Sequence, residues 1–140
     1  MKRVPIVVCF CLVLILGIFS GCQEEQAGIT TFKSITLQSS IVEFVNASLE
    51  FKYDNQNRID SVTAKYLFHN IAKRGVVAKI TVEFYDKENN LLFAGGPTGI
   101  ITLPEDYTEQ GFAPGINIVT YDGENAPRVH HATIIVVESQ

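Results

Sequence analysis

Hydrophobic positions along much of this chain recur with a period of two. Leu49, Phe51 and Tyr53 alternate with Glu50, Lys52 and Asp54, the pattern of a strand with one covered and one wet face. Val62, Ala64, Tyr66 and Phe68 alternate in the same way with Thr63, Lys65, Leu67 and His69, and the run ends at Asn70. The clearest stretch puts Val76, Ala78, Ile80, Val82 and Phe84 on one face and Lys79, Thr81, Glu83 and Tyr85 on the other. It predicts a central strand over residues 76–85. Ile35, Leu37, Val42 and Phe44 supply shorter strands ahead of these. Residues 129–137 are apolar on both faces apart from His130, His131 and Thr133, as in a strand covered from both sides.

Turn residues punctuate these runs. Asp54-Asn55-Gln56-Asn57 and Asp86-Lys87-Glu88-Asn89-Asn90 reverse the chain with asparagines, which tolerate left-handed backbone angles. Gly95-Gly96-Pro97 breaks the strand that follows, and a short run at 100–103 stops at Pro104. Pro114-Gly115 suits the centre of a type II turn and launches a strand over 116–121, closed by Asp122-Gly123. No stretch after residue 29 holds a helical period. The prediction is an all-β fold, an antiparallel β-sandwich of seven to nine strands.

The first residues are different in kind. Lys2 and Arg3 precede an almost wholly apolar run over 4–19, then the small residues Ser20 and Gly21, the three-part layout of an export signal. The run is shorter than the roughly 20 residues a helix needs to cross a bilayer, and Pro5 and Gly17 interrupt it. Phe19-Ser20-Gly21-Cys22 resembles the bacterial lipobox, with Phe19 where an aliphatic residue is usual. The resemblance implies cleavage before Cys22 and a diacylglyceryl thioether on Cys22, hence an extracytoplasmic protein held to a bacterial membrane by lipid. In a Gram-negative cell, Gln23 after the cysteine implies the outer membrane. A plain secretory signal cut near Gly21 and an uncleaved signal anchor are the competing readings. The expected organisation is a signal peptide at 1–21, a lipidated cysteine and short tether at 22–29, and a sandwich domain at 30–140.

Charge and cysteine content narrow the chemistry. The 140 residues carry 11 Lys+Arg and 15 Asp+Glu; removal of residues 1–21 leaves 119 residues, with 9 basic against 15 acidic and a net charge of −6. That balance argues against nucleic acid as a partner, which needs clustered positive charge. Cys9 and Cys11 lie in the expected signal and Cys22 carries the lipid, so the domain is left without a disulfide, a cysteine nucleophile or a thiolate metal site. One core of this size is sufficient to hold one domain.

Val82-Glu83-Phe84-Tyr85-Asp86 resembles the strand end that names the FxLYD-type domain, an extracytoplasmic immunoglobulin-like module. Val82 and Phe84 replace its Phe and Leu, while Tyr85 and Asp86 are kept. Residues 61–75 and the Phe112-Ala113-Pro114-Gly115 turn are similar to the same module, over roughly 61–137. The late-embryogenesis-abundant type sandwich shares the broad pattern. The resemblance implies an immunoglobulin-like sandwich and brings no catalytic residues with it.

Among candidate sites, adjacent His130 and His131 in one strand are expected on opposite faces. His69 is left to meet one of them across the sheet, with Glu83 or Glu138 as a third ligand, which is too few for a convincing zinc site. The two Asp-led turns lack the ligand spacing of a calcium loop, and residues 95–99 lack phosphate-binding spacing. Glu105-Asp106 reads as a charged turn, and the serines sit in no nucleophile elbow. Tyr85, Tyr107 and Phe112 form the best candidate binding face. The reading is a non-enzymatic envelope lipoprotein without metal or cofactor, bound to the membrane through Cys22, whose sandwich binds another envelope protein or lends structure near the membrane. The alternative is a small-ligand or metal-binding module using His69, His130 or His131 and the loop at 95–99.

Overall fold

A computed structural model describes residues 28–97 and 100–140, with side chains from Phe32 onward, Thr98 and Gly99 excepted. The expected export signal, Cys22 and residues 23–27 lie outside the described residues, as do Thr98 and Gly99 of the loop at 95–99.

The described residues form a β-sandwich of nine strands: β1 (Gly28–Phe32), β2 (Ile35–Ser39), β3 (Val42–Tyr53), β4 (Ile59–Asn70), β5 (Val76–Tyr85), β6 (Leu91–Gly95), β7 (Ile101–Leu103), β8 (Ile118–Tyr121) and β9 (His131–Glu138). A 3-10 turn at Ala126–Arg128 is the helical element among them. One sheet runs β1-β2-β9-β5-β6, with β7 also on β5; the other runs β3-β4-β8. The predicted central strand, β5, is paired on both sides. β1 takes in Gly28 and Ile29, which shortens the expected tether to residues 23–27.

Alternation in the sequence becomes burial. Val62, Ala64, Tyr66 and Phe68 of β4 are buried in one core with Val82 and Phe84 of β5, Ile35 and Leu37 of β2, and Ala132 and Ile134 of β9 on the other sheet. Each such large apolar side chain contributes about 1.5–3 kcal/mol relative to exposure. Aromatic rings pack within and between the layers: the Phe68 ring centre lies 5.0 Å from that of Tyr66 and 5.8 Å from that of Phe44 in its own sheet, and Tyr121 crosses to Phe93 of the other sheet at 4.8 Å.

Four expectations need correction. β2 and β9 pair in parallel, so the sandwich is not wholly antiparallel; the two strands are distant in sequence, and the constraint of a hairpin does not apply. The segments around Phe44 and Leu49 are one twelve-residue strand, β3, interrupted by a bulge at Val45. The extra residue changes the parity of the inward positions, from Val42 and Phe44 to Ala47, Leu49 and Phe51, so the period appears broken. Tyr53, expected inward, is 54% exposed, because cover on the inner face of β3 falls off from Ala47 toward the hairpin. The outer face of β9 is covered at Thr133 but open at Val137.

Strand direction gives the sandwich two distinct ends. At one lie Gly28, the Ser39 corner between the sheets, Asn70, Val76 and Leu103. At the other lie Tyr53, Tyr85, Tyr121 and His131, with the hairpins that follow the first two.

Candidate functional site

The two Asp-led hairpins at the Asp86 end share one construction. Asp54 Oδ1 accepts the N–H groups of Gln56 and Arg58, and Asp86 Oδ1 accepts those of Glu88 and Asn90. In each, the asparagine three residues on bonds back to the aspartate carbonyl with a left-handed φ, 61° at Asn57 and 64° at Asn89. A bulge follows each turn. The carboxylates are therefore occupied as turn organisers. Asp54 Oδ2 takes the Arg58 guanidinium at 2.9 Å, and Asp86 Oδ2 takes Arg128 at 2.7 Å and Asn90 Nδ2 at 3.0 Å. The Asn90 side chain and N–H, then Glu88 and Arg128, hold the Asp86 carboxyl below the usual range. Bonds from Arg58 do the same at Asp54.

The histidines are distributed differently from expectation. β9 begins at His131, so His130 sits outside the strand, and the two Nδ1 atoms come within 3.4 Å instead of facing apart. His131 stacks on Tyr85 at 5.3 Å, and the Tyr85 hydroxyl donates to the Glu83 carboxylate. That bond, with burial, pushes the Tyr85 phenol up to about 12. Burial and the neighbouring His130 lower His131. His69 does not meet this pair. It stands at the Gly28 end, where Nδ1 contacts Thr108 Oγ1 at 2.7 Å and Nε2 lies 3.5 Å from Asp106, while His131 pairs with Tyr85 at the opposite end of ten-residue β5, about 30 Å away at strand rise. Glu138, the other expected ligand, is held in a two-pronged pair by Arg74 at 2.5 and 2.7 Å. Among the described residues no group of three His, Cys, Asp or Glu side chains is placed to hold a metal ion.

A buried polar network that sequence reasoning missed joins the loop at 104–117 to β4. The strand β8 covers only residues 62–65 of β4; beyond it the loop supplies the partners. Tyr66 N–H donates to Asn117 O, Phe68 N–H to Glu109 Oε2, and Asn70 N–H to Tyr107 O. Asn70, 2% exposed, reaches the carbonyls of Arg74, Leu103 and Pro104 through Nδ2 and accepts the Ala72 N–H through Oδ1. Asn117 closes the loop on itself through Ala113 N–H and Gly111 O. At its tip, Ile116 N–H bonds to Ala113 O around Gly115 at φ 76°, as the Pro114-Gly115 pair predicts. Burial raises the Glu109 carboxyl and the Tyr66 phenol. Among the described residues, no buried side-chain polar atom lacks a partner. The available signal was the polar Asn70 closing an apolar strand, but two of its partners, Leu103 and Pro104, are more than 30 residues away in sequence.

The proposed aromatic face is not a single surface. Tyr85 is half-buried against His131, Tyr107 is exposed at the Gly28 end beside Asn70, and exposed Phe112 lies 6.0 Å from Lys65 on the outer face of the second sheet. The glycine loop after β6 is tight because Gly96 presses on the Ile80 carbonyl, where a Cβ would stand at 2.4 Å. It borders an open depression of about 540 Å³ with Lys79, Thr81 and Ile100. Asp54 and Asp86 are thus committed to holding turns, Glu138 to Arg74, and His69 to Thr108 of the loop at 104–117. Comparison with protein-family models, curated proteins and solved structures gives no significant match for this chain.

Proposed function

We propose that this chain is an extracytoplasmic lipoprotein, anchored to a bacterial membrane through lipid on Cys22, whose non-catalytic β-sandwich serves binding or structure in the cell envelope. The observation that carries the reading is the proximity of two features: Phe19-Ser20-Gly21-Cys22 ends an apolar run, and β1 begins at Gly28, six positions later. An anchor that close leaves the sandwich as the part that meets envelope partners. The use of Asp54, Asp86, Glu109 and Glu138 as structural acceptors supports a role without acid–base chemistry. Intact mass and membrane fractionation of the full-length protein beside Cys22→Ala test it. Acylated protein starting at Cys22, lost from the membrane in the variant, is the expected result. Release of the wild type with a free thiol overturns the anchor.

A second reading, a metal-binding module, draws on the 3.4 Å approach of the His130 and His131 Nδ1 atoms. Two nitrogens are half the set zinc normally takes, so water would complete any such site. Calorimetry with zinc at micromolar concentration, repeated on His130→Ala, tests it; absence of heat in the wild type removes it.

A further inference from the structure

Resting on the anchor reading above, we propose that the Gly28 end of the sandwich lies on the bilayer surface, with Ile71 and Tyr107 entering its interfacial layer. The first argument is reach. Five residues separate Cys22 from Gly28, and fully extended they span on the order of 20 Å. The ten residues of β5 alone make the sandwich about 33 Å long. β1 starts at the Gly28 end and runs away from it. The tether is therefore too short to invert the domain, and the Asp86 end faces away from the lipid.

The second argument is the chemistry displayed there. Ile71 is 43% and Tyr107 42% exposed, and the chain brings them to one end because Asn70, next to Ile71, donates its N–H to the Tyr107 carbonyl at 2.9 Å. A branched aliphatic chain beside a tyrosine is the combination that suits the boundary between acyl chains and headgroups, since the ring is apolar and its hydroxyl stays wet. Lys73 lines a shallow depression with Ile71 and Asn70, and its stem can lie along the interface with the ammonium in water. Val77 and Val137, 40% and 51% exposed, lie on the outer face of the first sheet toward this end. Exposed apolar residues also occur at the far end, where Tyr53 and Leu91 flank Asp54 and the turn at 86–90, but the tether cannot bring them to the membrane. Glu105 and Asp106 share the Gly28 end with Ile71, so the contact is shallow, apolar in origin, and independent of anionic lipid.

The test uses the processed, acylated protein that starts at Cys22 on phosphatidylcholine vesicles, with a nitroxide attached in turn through Ile71→Cys, Tyr107→Cys, Asn55→Cys and Lys87→Cys. Acylation of Cys22 is read first by intact mass. On vesicle attachment, collision with oxygen relative to a water-soluble nickel chelate should rise several-fold for the labels at 71 and 107 and stay unchanged at 55 and 87. Acylated, vesicle-bound protein whose labels at 71 and 107 remain as wet as those at 55 and 87 overturns the orientation and leaves the anchor standing. A rise at 55 or 87 instead also overturns it. Unacylated Cys22 overturns the anchor reading and this inference together.

Discussion

Glu109 stands in for a strand neighbour of Phe68: its carboxylate accepts the Phe68 N–H at 2.8 Å, while its backbone N–H donates to the Phe68 carbonyl at 2.9 Å. One residue thus satisfies both backbone groups at the point where β8 no longer reaches β4. Burial raises the Glu109 carboxyl, so the folded protein binds this proton more tightly than the unfolded chain does. The contribution is favourable below the unfolded pKa and is lost as pH rises through the folded one. Glu109→Gln retains an acceptor without the charge. Its melting temperature should therefore exceed that of wild type by most at neutral pH and by progressively less toward acid; a difference that is constant with pH refutes the assignment.

Asn70→Ala removes the donor shared by Arg74, Leu103 and Pro104 and the acceptor for Ala72. Leaving such groups unpaired should cost about 3 kcal/mol in urea unfolding. Asn70→Asp should be worse at neutral pH, because a carboxylate would then face carbonyl oxygens, and should recover partly as pH falls. Equal stability of Asn70→Ala and wild type would count against the network.

The two aspartate hairpins should differ in sensitivity. The Asp86 side chain is 2% exposed and binds Arg128 across the structure, whereas that of Asp54 is 27% exposed and bonds within its own turn. Asp86→Ala should lower the melting temperature more than Asp54→Ala. Since both carboxyls are held below their usual range, their stabilisation is present above about pH 4, the unfolded value, and is lost as pH falls through the folded one. Wild type should therefore lose stability in acid faster than Asp86→Asn, as followed by circular dichroism.

Gly96→Ala places a methyl group 2.4 Å from the Ile80 carbonyl oxygen, while a methyl at Gly111 meets nothing within 4 Å. The first should destabilise by about 1–3 kcal/mol and the second by less than about 0.5 kcal/mol. Matching denaturant midpoints for the two variants would show that the loop after β6 yields freely.

The extent to which the sequence could be read follows from which interactions are local. β4 and β5 were legible because their inward positions recur at every second residue, and the Pro114-Gly115 turn because it is specified by two adjacent residues. Leu67 of β4 departs from that pattern, being buried although its parity assigns it to the outer face, and the continuous β3 was not legible because the bulge at Val45 reverses which residues point inward. The parallel β2–β9 pair, the bonds from Asn70 to Leu103 and Pro104, and those between Glu109 and Phe68 join residues far apart in the chain, and no local pattern carries them. The Tyr-Asp strand end that suggested an FxLYD-type domain occurs three times, at Tyr53-Asp54, Tyr85-Asp86 and Tyr121-Asp122, and the first two precede turns of one construction. So short a pair says little about a partner.

The placement of β1 has a mechanical consequence. It is the outermost strand of its sheet, bonded to β2 through five antiparallel register pairs from Gly28↔Ser39 to Phe32↔Ile35. A pull on the residues before Gly28, directed out of that end, acts along the strand axis. It loads the ladder in shear, so the rungs must give way together. Pulling from the opposite terminus of the same strand would load the Lys33-Ser34 turn instead.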